Sequence, residues 1–218
     1  MNMIKNSFKA TTFAAAVKIS GLVKVSFLFG SQMIWFSGVN SVLPLAGAFG
    51  GVMGAGLVFL MRQVLHLIFF KTISLSFLAL CIPGLFASLY WSTHSALIRF
   101  FVPVACMGLF MVHPVGGQAF IYSLYWLIPV ALYLFPQRSL FAQALGSTFV
   151  AHAVGSVIWC YTVPMTAAMW MGLMPIVLVE RLLFAMGMVA AHRILSGIFN
   201  RIDTLSVDQH AVVTAPQQ

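Results

Sequence analysis

Carboxylates are nearly missing from this chain. Of its 218 residues only three are acidic, and Glu180 is the only one before the stretch that follows Asn200. Charged residues of both signs together make up 6% of the sequence, which excludes the solvated surface of a soluble globular domain. Cysteine is scarce as well. Cys81, Cys106 and Cys160 each lie inside an apolar run with no CxxC spacing, so they read as small hydrophobes rather than as a disulfide or zinc framework. The chain has no GxxxxGK[ST] loop for nucleotide phosphates and no serine in a recognisable nucleophile motif.

What the chain has in abundance is apolar length. It is 61% hydrophobic with a mean hydropathy of +1.02, so lipid is its solvent. Its length has room for about six spans of roughly 20 residues and little else. The expectation is an all-α integral membrane protein: a bundle of about six transmembrane helices in one domain, 1–200, followed by a flexible polar C-terminal tail, 201–218. The net charge of +8 does not point to nucleic acid. The cations stand singly at the ends of apolar runs, the pattern of charges that orient spans in a membrane. The basic N-terminal stretch is interrupted by Lys18 and Lys24 and lacks a tidy signal-peptide core, so it reads as the start of a first span.

The spans are expected at about Ala10–Phe36, Ser41–Met61, Thr72–Trp91, Leu140–Tyr161 and Met165–Ala191, with one more in the region Ile98–Phe135. That region is split by His113-Pro114-Val115-Gly116-Gly117, where proline and glycine must break a helix. Counting it as one net crossing makes 98–117 a broken, re-entrant segment. It also gathers Lys5, Lys9, Arg62, Lys71, Arg138, Arg193 and Arg201 on one side and leaves Arg99 outside. By the positive-inside rule both termini are then cytoplasmic, in a membrane expected to be a bacterial inner membrane.

Glu180 and Arg181 sit in the middle of the last apolar run. Arg181 is about ten residues from its end, roughly 15 Å along a helix, too far for easy snorkelling. Ionisable residues at that depth face a bundle interior or a cavity and mark function. As neighbours they project about 100° apart, so each is expected to find its partner elsewhere. The Leu140–Tyr161 span carries a polar stripe, Thr148, His152, Gly155 or Ser156 and Trp159, at helical spacing. A second stripe, Gln118, Tyr122, Tyr125 or Trp126, Pro129 and Tyr133, presents rings with polar tips that suit a flat ligand. His113 lies at the helix break, where freed backbone groups can bind. Lys24 is deep enough in the expected first span to face a cavity or a partner protein.

These features resemble the substrate-binding S components of energy-coupling factor (ECF) vitamin transporters in size, six spans, a basic cytoplasmic side, Ala10-xxx-Ala14 on the first helix, and polar residues gathered in the last three spans. The resemblance implies that Ala10 and Ala14 dock on a transmembrane coupling protein that works with ATPase subunits. It implies that the loop with Trp35 and Asn40 gates the site. It implies that His113, Gln118, Tyr122, Trp126, His152, Trp159, Glu180 and Arg181 hold the substrate. The expected function is uptake of a small vitamin-like metabolite, with no catalysis, no cofactor and no metal. The alternatives are a stand-alone proton-coupled carrier titrating Glu180 or His152, a structural or assembly membrane protein, and an intramembrane hydrolase whose metal would need His113, His152 and Glu180 to converge.

Overall fold

The structure, a computed structural model, describes residues 2–29, 32–72, 74–135 and 139–214, without the side chains of 2–5, 27–29, 32–36 and 206–214. Apolar runs this long must satisfy their own backbone groups in lipid, and a helix does so within one segment. The elements in order are α1 (Asn2–Ser20), a hairpin of β1 (Lys24–Phe29) and β2 (Gln32–Ser37), α2 (Gly38–Val42), α3 (Leu45–Phe70) and α4 (Leu75–Ser92). A π turn at Leu97–Phe101 leads into α5 (Val102–Val112). After it come α6 (Pro114–Gln118), α7 (Phe120–Ser123), a 3-10 turn at Leu124–Trp126, α8 (Leu127–Leu134), α9 (Leu140–Thr162) and α10 (Ala167–Thr214).

Among the described residues four helices, α3, α4, α9 and α10, are long and apolar enough to cross a membrane, and two shorter apolar runs cover Leu97–Val112 and Phe120–Leu134. The fold is therefore the expected all-α membrane bundle, with its broken segment where proline and glycine require it. Its first segment differs from expectation. Instead of a span over Ala10–Phe36, α1 stops at Ser20 and the chain turns into the β1–β2 hairpin, whose antiparallel register pairs Lys24 with Ser37 and Ser26 with Trp35. Lys18, Gly21 and Lys24 interrupt the apolar run, and α1 is the least hydrophobic of the long helices. Lys24 opens β1 as an exposed residue rather than facing a cavity.

The region 98–135 also departs from a single net crossing. It runs out and back as two antiparallel arms. Phe100 meets Tyr133 at one end (ring centroids 6.2 Å apart) and Phe110 meets Tyr122 at the other (5.7 Å). Each arm is roughly 22–24 Å long at 1.5 Å per residue, somewhat short of a ~30 Å hydrocarbon core. Among the described residues six apolar helical segments remain, but the first arm, Leu97–Val112, stands in place of the expected first span.

Contacts sort the segment ends into two groups. At one end, Trp91 at the close of α4 stacks on His192 (5.5 Å), and Lys9 of α1 pairs with Asp203 of α10 (2.8 Å). Arg99 lies at this end too. Its Nη2 donates to Tyr90 O (2.8 Å) and to Gln143 Oε1 (3.1 Å), its Nε donates to Thr93 O (3.0 Å), and its guanidinium covers the Tyr90 ring at 4.2 Å. Lys71, the His113 break and the α9–α10 connection form the opposite end. Lys9, Arg99, Arg193 and Arg201 thus share one end, while Lys71 sits at the other. This reverses the sequence-based sides of Arg99 and Lys71 relative to Lys9, because the first segment, a short helix and a hairpin, does not cross ahead of them.

Two glycines shape the wall of the bundle. Gly51 has φ 60 and ψ −156, a conformation that favours glycine, and it kinks α3 after its first turns. A methyl on Gly47 would collide with the Ser88 carbonyl, so α3 begins directly on the backbone of α4. At the other extreme α10 runs on past Arg201 to Thr214, where a flexible tail is expected from the sequence. Ile202 packs into an apolar cluster with Val42, Leu45 and Phe199, and this together with the Asp203 pair keeps the helix going.

Candidate functional site

The centre of the bundle holds a cavity of about 600 Å³. One face of α9 contributes Thr148, His152, Ser156 and Trp159. The facing wall comes from α10 with Trp170, Leu173, Val177, Glu180, Arg181 and Phe184, at helical spacing of three and four. Arg62 of α3 and Leu80, Pro83 and Gly84 of α4 form the third wall, and Asn40 and Pro44 close the end near α2. Pro83 is inside α4 and its ring lies against Gly155, where an added methyl would sit 3.4 Å from it.

The polar groups fall into two sets. Tyr122 Oη reaches in from the second arm and lies 2.9 Å from His152 Nε2, with Ser156 Oγ 3.4 Å from both. Tyr122 is 1% exposed and sits among the rings of Phe110, Trp126 and Trp170. A buried histidine and tyrosine need such partners, since an unpaired polar group at this depth is costly.

The second set is the ion pair. Arg181 Nη2 donates to Glu180 Oε2 at 3.0 Å, and the guanidinium lies over the Phe184 ring at 4.9 Å. This corrects the expectation that neighbours on a helix do not pair. The 100° rule fixes where the Cβ bonds point. Both side chains are long, both bend into one cavity, and attraction between unit charges is strong in a poorly polarisable surrounding. Arg181 Nε and Trp170 Nε1 are buried without hydrogen-bond partners in the structure.

Of the residues expected to hold a substrate, Tyr122, His152, Trp159, Glu180 and Arg181 converge on the cavity, and so does the expected gate residue Asn40. The other three are elsewhere. His113 lines a separate hollow with Tyr161 and Cys160 at the helix break. Gln118 ends α6 as an exposed residue. Trp126 is 0% exposed and packs edge-on against Phe110 as part of the core. Apart from Tyr122, the Gln118–Tyr133 stripe misses the site because the chain between Pro114 and Leu134 is four short helical pieces rather than one regular helix, so sequence spacing does not keep its residues on one face. The Trp35 side chain lies outside the described residues. Ala10 and Ala14 are exposed on α1.

Arg62 and Trp170 were not singled out from the sequence. Stepping back from Glu180 by three and four residues reaches Val177, Leu173 and Trp170, so a periodicity argument finds Trp170. Arg62 reads from sequence as an end-of-span charge, and only the packing of α3 on α4 brings it to the cavity. Among the described residues no group of three His, Cys, Asp or Glu side chains could hold a metal ion, so His113, His152 and Glu180 do not converge as a metal-dependent hydrolase would need. No protein-family model, curated protein or solved structure matches this chain.

Proposed function

We propose that this is a membrane transport protein that binds a small vitamin-like metabolite in the central cavity and takes it up across the membrane. The observation that carries the reading is the cavity itself. Its size falls in the range of small-ligand sites, its walls are mostly apolar, and a few polar groups from α3, α9, α10 and the second arm converge on it. A half-buried ion pair at mid-bundle is a costly feature in a protein that only needs to fold. The end that carries Lys9, Arg99, Arg193 and Arg201 then faces the cytoplasm, in keeping with the positive-inside rule, and a bacterial inner membrane is the proposed location.

In its finer form the protein is the substrate-specific subunit of an ECF-type transporter. The exposed Ala10 and Ala14 support this by leaving a small-residue face of α1 open to a coupling protein. The lack of any nucleotide loop supports an energy source on a partner. A second reading, a stand-alone proton-coupled carrier, draws on Glu180 facing the cavity.

The test is a thermal-shift screen of the purified protein against vitamins, nucleobases and amino acids, repeated with Glu180→Gln and His152→Ala. A ligand that stabilises the wild type but neither folded variant is the expected result. Uptake of that ligand by proteoliposomes of this protein alone, abolished by a protonophore, would favour the carrier. A full library without a shift would refute the binding reading.

A further inference from the structure

Resting on the reading of the cavity as a substrate site, we infer that its ligand is a small organic monoanion, a carboxylate with an apolar body. The argument begins with charge. Two guanidiniums, Arg62 and Arg181, line the cavity, and one carboxylate, Glu180, lines it with them. Glu180 is engaged by Arg181 at 3.0 Å. The chain has only two other acidic residues, Asp203 and Asp208. Asp203 pairs with Lys9 at the far end of the bundle, and Asp208 follows it on the same helix, beyond the apolar span. The cavity therefore carries one positive charge in excess, inside a bundle where an uncompensated charge is expensive. A ligand with a single negative charge removes that cost when it binds.

The donors point the same way. Arg181 Nε and Trp170 Nε1 are buried N–H groups with no acceptor, and Trp170 is 2% exposed. Arg62 covers the Phe77 ring at 5.8 Å, which steadies its stem and leaves its fork of N–H groups for an acceptor. A carboxylate is acceptor-only when ionised and matches a guanidinium in two-point geometry. The remaining walls, with Leu80, Pro83, Leu173, Val177, Phe184 and Met188, are apolar and offer a hydrocarbon or aromatic body a dry surface. A cationic ligand would meet two arginines, and a neutral one would leave the excess charge in place.

The test uses the full chain in phosphatidylcholine nanodiscs at neutral pH, read by intrinsic tryptophan fluorescence, since Trp159 and Trp170 both line the cavity. The probes are benzoate, octanoate and oleate, with benzyl alcohol and benzylamine as neutral and cationic matches to benzoate. At least one carboxylate should bind saturably and at least tenfold tighter than benzyl alcohol, and benzylamine weakest of all. Preference for octanoate over oleate would mark a soluble substrate, and the reverse a lipid-derived acid; either result supports the monoanion. Arg62→Gln should lose the tenfold preference while keeping the affinity for benzyl alcohol. Lys71→Gln, which removes a positive charge outside the cavity, should keep the preference. Equal or tighter binding of the alcohol or the amine would overturn the charge assignment and leave the binding cavity standing. No saturable binding by any probe, in protein that keeps its helical circular dichroism, would overturn both.

Discussion

Replacing Arg99 by lysine keeps the charge and the long stem, and should still cost a large part of the stability of the basic end. Arg99 is 6% exposed and makes three hydrogen bonds from two of its nitrogens, at 2.8, 3.0 and 3.1 Å, to Tyr90, Thr93 and Gln143. These tie the close of α4 to the start of α9 and to the π turn that opens the first arm. Lysine is a point charge on a flexible stem and cannot span those directions at once. Retaining one of the three forfeits two hydrogen bonds of a charged donor, at ~1.5–3 kcal/mol each, and weakens the stacking on Tyr90. Allowing for water at the end of the bundle, the net loss is about 2–4 kcal/mol. Titration with a denaturing detergent, followed by circular dichroism, measures it. Arg99→Met removes the charge and its desolvation cost together but leaves Thr93 O without the Arg99 donor, so it should fall in the same range. A loss below about 0.5 kcal/mol for Arg99→Lys, the level of an ordinary surface substitution, would refute the idea that the fork geometry holds this corner together.

Three further outcomes follow from the geometry. Tyr122→Phe removes the hydroxyl beside His152 while Ser156 stays within reach, so unfolding should become easier by only about 1 kcal/mol, and any loss of ligand affinity beyond that would show Tyr122 touching the ligand. Gly47→Ala drives a methyl into the Ser88 backbone carbonyl and should destabilise by about 1–3 kcal/mol, whereas Gly50→Ala, with open space around it, should be nearly silent in the same titration. The positive charge of Arg99, and to a smaller extent burial, holds the His94 imidazole below its ordinary range. The native state therefore binds this proton less readily than the unfolded chain, and stability declines as pH falls through the unfolded value of about 6.5. Imidazole titration by NMR should place His94 nearer that value in Arg99→Met than in the wild type.

The sequence revealed the bundle because lipid imposes one strong rule, and long apolar runs such as Leu140–Tyr161 obey it almost residue for residue in α9. It revealed the α9 stripe for the same reason: a regular helix preserves spacing, and Thr148, His152, Ser156 and Trp159 all face the cavity. Legibility ended where regularity ended. The segment 98–135 contains a π turn, a break at His113 and a 3-10 turn, so neither its crossing number nor its facing residues follow from a count. The first segment is ambiguous in sequence because two lysines within an apolar stretch are compatible with a tilted span as well as with a helix that stops and a hairpin that follows. Arg62 was hidden for another reason: its role depends on where α3 packs, which no local pattern encodes.

The length of α10 has a mechanical consequence. Pro175 lies inside it, one turn before the Glu180–Arg181 pair, and the helix then continues without another proline to Thr214. A proline removes one hydrogen bond from the ladder and makes that turn the softest place in the rod. From Pro175 to Asp203 the helix is roughly 42 Å long at 1.5 Å per residue. Rotating such an arm by about 5° at the proline swings its far end by roughly 4 Å, enough to carry a 2.8 Å contact beyond the reach of a salt bridge. A small adjustment beside the ion pair in the cavity would therefore arrive at the Lys9–Asp203 contact, 2.8 Å long, as a break or a closure. The helix that lines the cavity is in this sense a pointer, and the N-terminal helix α1 is what it moves against.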